Sequence, residues 1–405
     1  MAEWVEKSLG EVTSYIAKGI PPQYTEKYSE NVIYVLNQKC NRDFSVSYEQ
    51  ARLHDLSKKK IAEEKMLKSG DVLINSTGEG TAGRVAQLWN IPSQTTVDGH
   101  MIILRPTSEV DTLYYGYAIK AQQFMIESLA EGSTGQTEIN RKRLQEEITI
   151  SYPKDKKKQH SIAKILEEID KKIEVNNQIN RNLSEQMQAI FGSIFYSEME
   201  KENKASLGDY LYIKGRIGWK GLKKEEYLSE SEYRIINGES LTVTGIDWNK
   251  AGYISEERYI ESPEIMLQEG DILISKDGTI GKIGYVNKLD KPTSVASGIF
   301  VVRNLKPEEV STVFIYCLLN SDYFKSFIAS RTEGSVIPHL YQKDFVTLEI
   351  PILSQEQIEL FNSTVVPLFE LFFSNQTENI RLAALRDSLL PKLMSGELDV
   401  SDLNI

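Results

Sequence analysis

The sequence predicts an α+β protein in which two related globular domains are separated by two long helices that form an antiparallel coiled coil. Three observations support this fold class. The sequence repeats itself at an offset of about 200 residues, and each copy contains short apolar runs that are typical of strands. Each copy is also followed by a segment with the apolar spacing of a coiled-coil helix.

The internal repeat is clearest near the middle of each half. Gly70–Ile74 (Gly-Asp-Val-Leu-Ile) recurs as Gly270–Ile274 (Gly-Asp-Ile-Leu-Ile). An apolar run that is bounded by glycine indicates a buried strand, and the segments Leu113–Leu129 and Val313–Ala329 have helical apolar spacing. Shorter matches join Ser8–Glu11 to Ser206–Asp209, Ile102–Arg105 to Phe300–Arg303, and Glu131–Ser133 to Glu333–Ser335.

The two helical segments have apolar residues at alternating steps of four and three, which is the a/d spacing of a coiled coil. In the first segment these positions run from Ile162 to Ile194, and in the second from Ile358 to Leu393. Each series includes two asparagines near its middle. One antiparallel register places Asn176 opposite Asn379, Asn180 opposite Asn375, Ile162 opposite Leu393 and Ile194 opposite Phe361.

A buried asparagine pair would fix this register, because a shifted register would place each amide against an apolar side chain. The alternative is that two amphipathic helices pack separately on their own domains. The expected boundaries are a first globular domain at 1–153, a first helix region at 154–203, a second globular domain at 204–352, a second helix region at 353–395 and a tail at 396–405.

Composition limits the functional classes. The chain has 405 residues, 40% hydrophobic content and a formal net charge of -11, so we do not expect it to coat nucleic acid non-specifically. No apolar run approaches the roughly 20 residues that span a bilayer, and we expect a cytoplasmic protein without a membrane partner. Cys40 and Cys317 are not part of a CxxC pair and are interpreted as small core residues.

The sequence contains no convincing catalytic motif. Gly78–Gly83 fits GxGxxG, but Arg84–Ala86 continues as a strand rather than a helix, which favours a β-turn. The four histidines, at positions 54, 100, 160 and 339, do not have metal-ligand spacing. We therefore expect no catalytic residues, no metal site and no cofactor bound by this chain.

Basic residues cluster in loops of both halves, and such loops are candidates for nucleic-acid contact. Glycines near Arg216 would let the backbone approach phosphate, and arginine can bind a guanine edge with two hydrogen bonds. A run of charge can equally be a solvated surface. The candidate DNA-binding residues are Lys58, Lys59, Thr77, Gln136, Arg141, Arg143, Lys214, Arg216, Trp219, Lys220, Lys223, Lys276, His339 and Lys343.

Three segments carry a resemblance to a known family. Arg386–Leu398 (Arg-Asp-Ser-Leu-Leu-Pro-Lys-Leu-Met-Ser-Gly-Glu-Leu), Gly215–Leu222 and Gly270–Gly278 resemble the specificity (S) subunit of Type I restriction-modification systems. The resemblance extends over the whole chain. It departs from the family pattern where the first helix lacks a Leu-Pro-Lys-Leu equivalent, and where Pro367 is expected to interrupt the second helix.

The resemblance implies that each globular domain is a target recognition domain that reads one half of a split, asymmetric sequence in double-stranded DNA. The helices would be spacers that dock two methyltransferase (M) subunits, and restriction (R) subunits would join the assembly. S-adenosylmethionine, ATP and Mg²⁺ would belong to these partners. Two alternatives are a two-lobed coiled-coil scaffold that binds only proteins, and an enzyme that methylates or cuts DNA by itself.

Overall fold

The computed structural model describes residues 3–132, 137–332 and 339–399, except for the side chains of Trp219 and Thr332. The chain divides into two compact units. Unit 1 contains residues 1–174 and 379–405, and unit 2 contains residues 175–378. Each long helix contributes its residues to both units.

Unit 1 is built around a four-stranded antiparallel sheet in the order β2-β11-β8-β9. A second sheet has the order β10-β4-β7-β3, and β1 pairs with β14. The elements are β1 (Trp4–Ser8), β2 (Thr13–Lys18), β3 (Tyr24–Thr25), β4 (Val32–Leu36), β5 (Asn41–Arg42), β6 (Ser45–Val46), β7 (Arg52–Asp55), β8 (Val72–Asn75), β9 (Val85–Gln87), β10 (Thr95–Val97), β11 (Met101–Pro106), α1 (Thr112–Ala121), α2 (Gln123–Ser128), β12 (Ala130–Glu131), β13 (Glu138–Ile139), α3 (Arg141–Glu147), β14 (Thr149–Pro153) and α4 (Lys156–Met199).

Unit 2 repeats this topology. Its central sheet has the order β16-β24-β21-β22, its second sheet the order β20-β17-β23, and β15 pairs with β25. The elements are β15 (Lys204–Ser206), β16 (Leu211–Gly215), β17 (Tyr233–Ile236), β18 (Leu241–Thr242), β19 (Gly245–Ile246), β20 (Gly252–Ile254), α5 (Glu256–Ile260), β21 (Ile272–Ser275), β22 (Ile283–Tyr285), β23 (Thr293–Val295), β24 (Ile299–Asn304), α6 (Thr312–Asn320), α7 (Asp322–Thr332), α8 (Gln342–Val346), β25 (Glu349–Pro351) and α9 (Gln355–Ser395).

Both faces of each central sheet are buried around its inner strands, which explains why β8, β11, β21 and β24 are apolar at consecutive positions rather than at alternate ones. In β11 of unit 1, Ile102 and Leu104 belong to the core that includes the helices. Met101 and Ile103 point to the other face, into a core shared with Leu36 and Val97 of the second sheet. The sequence repeat is therefore a repeat of fold, as predicted.

The repeat extends to a buried ion pair. Arg105 donates from Nε and Nη2 to the two carboxylate oxygens of Asp71, at 2.8 and 2.9 Å. Arg303 binds Asp271 in the same manner, at 2.7 Å for both bonds. The hydrogen bonds to Asp271 raise the pKa of Arg303. Because each aspartate is buried, its charge needs this two-pronged partner to remain in the interior.

The long helices α4 and α9 pack against each other in antiparallel orientation. In unit 2, Asn375 Nδ2 donates to Asn180 Oδ1 at 2.9 Å, and Asn176 donates to Glu378 at 2.8 Å. In unit 1, Arg386 donates to Asp170 at 2.8 Å. The hydrogen bond between Asn180 and Asn375 is one of the contacts that the predicted antiparallel register requires. Opposition of Asn176 and Asn379, which belong to different units, stays a prediction.

The structure also bears on the expectations for the glycine-rich turn, the two cysteines and Pro367. Strand β9 follows the glycine-rich turn, so Gly78–Gly83 is a β-turn as expected, and its three glycines have positive φ. Cys40 and Cys317 are buried, as expected of core residues. The expected interruption at Pro367 was wrong, because α9 continues through it; the buried neighbours Val365 and Phe369 anchor the helix in the unit 2 core.

A hairpin in unit 1 has an unusual backbone. Strands β5 and β6 are joined by Asp43 and Phe44, whose φ angles are 51° and 61°. A two-residue hairpin turn of type I′ needs positive φ at both central positions, and glycine or asparagine usually occupies them. The left-handed conformation costs roughly 1–2 kcal/mol per ordinary residue. The ring of Phe44 lies 4.9 Å from that of Tyr117, centroid to centroid, and an aromatic pair of this kind contributes about 0.5–1.5 kcal/mol, which offsets part of the cost.

Candidate nucleic-acid interface

One end of the central sheet in unit 1 brings together polar residues from four segments. Lys18 is the last residue of β2, and Ser76 and Thr77 follow β8 directly. The amide of Ser76 donates to the carbonyl of His100, and the amide of Ile139 donates to the carbonyl of Ser76, both at 2.8 Å. We call this group the unit 1 sheet end: Lys18, Thr77, His100, Glu138 and Arg141.

Charge at the unit 1 sheet end is mixed but rich in cations. Lys18 forms an ion pair with Glu138. Partial burial, and to a smaller extent repulsion from Arg141, lower the pKa of Lys18. Arg141 is exposed at the first position of α3. Arg143, in contrast, is bound by Glu147 and Glu131, and the hydrogen bonds to Glu147 raise its pKa. Arg141 is therefore better placed than Arg143 to meet an external anion.

Unit 2 has the same construction at the equivalent end of its sheet. The amide of Lys276 donates to the carbonyl of Gly298 at 2.9 Å, and the amide of Leu340 donates to the carbonyl of Lys276 at 3.1 Å. These bonds match those of Ser76 and Ile139. We call this group the unit 2 sheet end: Lys214, Lys276, Asp277, His339, Tyr341 and Lys343.

Aromatic rings support the basic side chains of the unit 2 sheet end. Lys276 Nζ lies 5.1 Å from the ring centre of Phe300, and Lys343 Nζ lies 5.3 Å from that of Tyr341. His339 bonds to Asp277 through Nδ1 and contacts the edge of Tyr341. Lys214 Nζ lies 5.8 Å from the ring centre of Tyr212, on β16. Lys343 is exposed, so this surface offers cations beside aromatic rings.

The two sheet ends differ where their backbones correspond. The matching hydrogen bonds align Thr77 with Asp277 and Glu138 with His339. A threonine hydroxyl, a carboxylate and an imidazole present different donors and acceptors. The two units therefore present different hydrogen-bonding groups at matched positions of their sheet ends.

In the glycine-rich segment of unit 2, the candidate DNA-binding residue Arg216 is buried rather than exposed. Arg216 is only 2% exposed, and its guanidinium donates to the carbonyl of Val295 at 3.2 Å and to the hydroxyls of Ser262 and Ser294 at 3.4 Å. Burial, and secondarily Arg258, lower the pKa of Arg216. A direct contact of Arg216 with DNA would need local opening of this segment, and it stays a prediction.

The neighbouring lysine is also bound within the unit. Lys220 Nζ donates to the carbonyl of Glu261 at 2.6 Å. Arg258 donates in turn to the carbonyls of Lys220 and Gly221, at 3.0 and 3.2 Å. The segment is thus tied to helix α5 and to the residue that follows it. Lys223, two residues beyond Gly221, is exposed.

The remaining candidates have separate positions. Lys58 is exposed and lies 3.9 Å from Asp55, while Lys59 Nζ donates to the carbonyl of Pro21, in the segment that leaves β2. Gln136 lies outside the described residues, and so does the side chain of Trp219. The structure therefore brings together Thr77 with Arg141, and Lys276 with His339 and Lys343, while Lys214 lies at the end of β16, paired with Val301.

Sequence reasoning missed several members of the sheet ends: Lys18, His100, Glu138, Asp277 and Tyr341. Lys18 was detectable from the repeat. Tyr15 and Tyr212 are equivalent residues of the repeat, because they pair with Arg105 and Arg303 in their sheets. This alignment makes Lys18, the last residue of β2, equivalent to Gly215, the last residue of β16. The other members depend on chain crossings that sequence spacing does not reveal.

Comparison with known proteins identifies the family. Residues 1–185 and 199–360 match the family described as Type I restriction modification DNA specificity domain. The chain belongs to this family. A specificity subunit of a Type I restriction-modification complex is a non-catalytic subunit, so the expectation that the chain lacks its own enzymatic activity is confirmed at the level of the family.

Individual relatives extend over nearly the whole chain. The Type I restriction enzyme MjaIX specificity subunit of Methanocaldococcus jannaschii is 24% identical, over 99% of this chain and 95% of the relative. The HindI specificity subunit of Haemophilus influenzae is 22% identical, over 98% and 100%. The crystal structure of a Type I S subunit from M. genitalium has a TM-score of 0.56 at 21% identity and covers 99% and 97% of the two chains, which confirms the fold.

The described residues also lack a membrane-spanning helix and a cluster of metal-ligand side chains. Within 3–132, 137–332 and 339–399, no helix combines the length and the apolar character needed to cross a membrane. In the same part of the chain, His, Cys, Asp and Glu side chains do not form a group of three or more that fits a metal ion.

Proposed function

We propose that each unit of this specificity subunit reads one half of a bipartite, asymmetric DNA target through its sheet end. The observation that carries the proposal is the repetition of one backbone arrangement with different side chains at matched positions. Thr77 and Glu138 occupy in unit 1 the places of Asp277 and His339 in unit 2. Two surfaces of this kind would select two unrelated half-sequences, which makes the target asymmetric.

Exposed cations beside these positions would supply contacts to phosphate. Arg141 serves this role in unit 1, and Lys343 and Lys276 serve it in unit 2. Phosphate contacts fix the register of a protein on the duplex, while contacts to base edges select the sequence. This division also reconciles DNA binding with a net charge of -11, because only the sheet ends need to be basic.

The helices α4 and α9 would set the gap between the half-sequences and dock two M subunits. A helix rises about 1.5 Å per residue, so the apolar series from Ile162 to Ile194 extends about 50 Å. That exceeds one turn of B-DNA, which is about 34 Å. R subunits would join through the same assembly, and S-adenosylmethionine, ATP and Mg²⁺ would be bound by the partners. The complex would act in the cytoplasm.

Methylation sequencing tests the proposal. The chain is co-expressed with the M subunit encoded beside it, and modified adenines are mapped by single-molecule sequencing. We expect a split motif with a fixed gap, and substitution of Glu138 or His339 should alter the sequence of one half of it. A stable complex that yields no motif would contradict the proposal and would support the protein-only scaffold. Methyl transfer by the purified chain alone would contradict its non-catalytic role.

A further inference from the structure

The strained hairpin of unit 1 lies between the sheet end and the helix pair. At its base, Gln38 Nε2 donates to Thr77 Oγ1, and the carbonyl of Gln38 accepts from Asn75 Nδ2 at 3.1 Å. The fully buried Asn41 donates to Asn75 Oδ1 at 3.2 Å and to the carbonyl of Arg84 at 2.9 Å. The residues that begin the hairpin therefore hold the loop that contains Thr77.

The tip of the hairpin leads to the helices. Phe44 packs on the ring of Tyr117, whose hydroxyl donates to Asp170 of α4 at 2.7 Å. Asp170 also accepts from Arg386 of α9 at 2.8 Å. A continuous chain of contacts thus connects Thr77 to both long helices within unit 1.

Unit 2 has a hairpin at the same place in its fold. Strands β18 and β19 pair in the register of β5 and β6, with residue numbers higher by about 200. At the base, Lys282 donates from Nζ to the carbonyl of Gly238 at 3.1 Å and from its amide to the hydroxyl of Ser275, beside Lys276. At the tip, Gln376 of α9 donates to the carbonyl of Thr244 at 3.4 Å. The connection recurs although the side chains differ.

We infer that these hairpins are positioning elements that fix each sheet end relative to the helix pair, with Tyr117 as the linking residue in unit 1 and Gln376 in unit 2. This inference rests on the proposed function, since it assumes that the sheet ends read DNA. The left-handed conformation of Asp43 and Phe44 supports it, because strained backbone persists where the surrounding contacts require it. Neither hairpin needs to touch DNA for its loss to change recognition.

The test compares two conservative variants in the full chain with its M subunit. Tyr117→Phe retains the ring beneath Phe44 but removes the hydroxyl that binds Asp170. Tyr114→Phe is the matched control: Tyr114 lies on the same helix, is fully buried, and donates to the carbonyl of Ser151 at 2.7 Å, away from the hairpin and the helix pair. Both variants lose one buried hydroxyl bond, so melting temperature reports their common structural effect.

Methylation of sites with single mismatches is measured for each half-sequence, and substitution at the matched positions Glu138 and His339, which are proposed to read bases, identifies the half that each unit reads. We expect Tyr117→Phe to reduce discrimination about tenfold in the unit 1 half alone, while Tyr114→Phe leaves both halves unchanged. Gln376→Leu should affect only the unit 2 half. Equal effects of Tyr117→Phe and Tyr114→Phe, or no effect of Tyr117→Phe, would overturn the inference. Absence of any motif with the unaltered chain would instead refute the proposed function.

Discussion

The asparagine pair between the long helices allows a quantitative test of how their register is specified. Asn180 and Asn375 are 7% and 8% exposed, and their amides are joined by a 2.9 Å hydrogen bond. In Asn375→Leu, the carbonyl oxygen of Asn180 loses this donor while it remains buried. A buried polar group without its partner costs about 1–3 kcal/mol, so we expect the single variant to be destabilised by this amount.

The double variant Asn180→Leu/Asn375→Leu should behave differently, because replacing both partners with apolar groups is nearly neutral or stabilising. The two single losses would therefore not add, and the coupling should amount to about 2 kcal/mol or more. For a unit of about 200 residues, 1 kcal/mol corresponds to a change of about 2–4 °C in melting temperature. The singly substituted chains should melt about 2–12 °C lower, and the double variant close to the unaltered protein.

Thermal unfolding of the full chain by circular dichroism provides the measurement. Asn182→Leu is the control, because Asn182 is an exposed asparagine of the same helix and surface substitutions usually change stability by less than 0.5 kcal/mol. Additive losses in the double variant would refute the reasoning, since they would mean that each amide is stabilised independently of the other.

Three further predictions follow from the same structure. Deletion of one heptad from each long helix shortens it by about 10 Å and should shorten the recognised gap by about three base pairs at 3.4 Å each; an unchanged gap with an altered half-sequence would contradict the spacer role. Lys343→Glu should weaken specific DNA binding and reduce the slope of log affinity against log salt by about 1, whereas Lys306→Glu, which follows β24 at the opposite end of the same sheet, should not. Burial raises the pKa of Cys317 to about 12, so its thiol should resist alkylation in the native protein at pH 9. The stability of the fold should fall as pH rises above about 8.5, because the thiol ionises there only in the unfolded chain. Rapid labelling of Cys317 in the native protein would show that the site opens.

Sequence reasoning was most informative where the signal is local. The strand runs at 72–74 and 272–274 and the heptad spacing of the helices depend on residues that are close in the chain, and both were predicted correctly. The burial of Arg216 could not be predicted from local signal, because it depends on Ser262 and Ser294, which approach it only after folding.

The sheet ends were predicted in part. Thr77, Lys276 and His339 were identified because the repeat marks the loops that contain them. Lys18 and Asp277 were missed, because they join the sheet ends through ion pairs with Glu138 and His339, which are distant in sequence. The sequence also does not predict the positive φ of Phe44, because the packing of its ring against Tyr117 forms only in the folded chain.

The division of the chain into units has a consequence for the order of folding. Unit 2 is continuous in sequence, but the core of unit 1 includes Leu390, Leu393 and Met394 of α9 together with strands from the first part of the chain. At a synthesis rate of about 5–20 residues per second, the first strand would wait about 20–80 s for these side chains. Unit 2 can complete its core during that interval. A chaperone that shields apolar strands during translation should therefore bind unit 1 rather than unit 2.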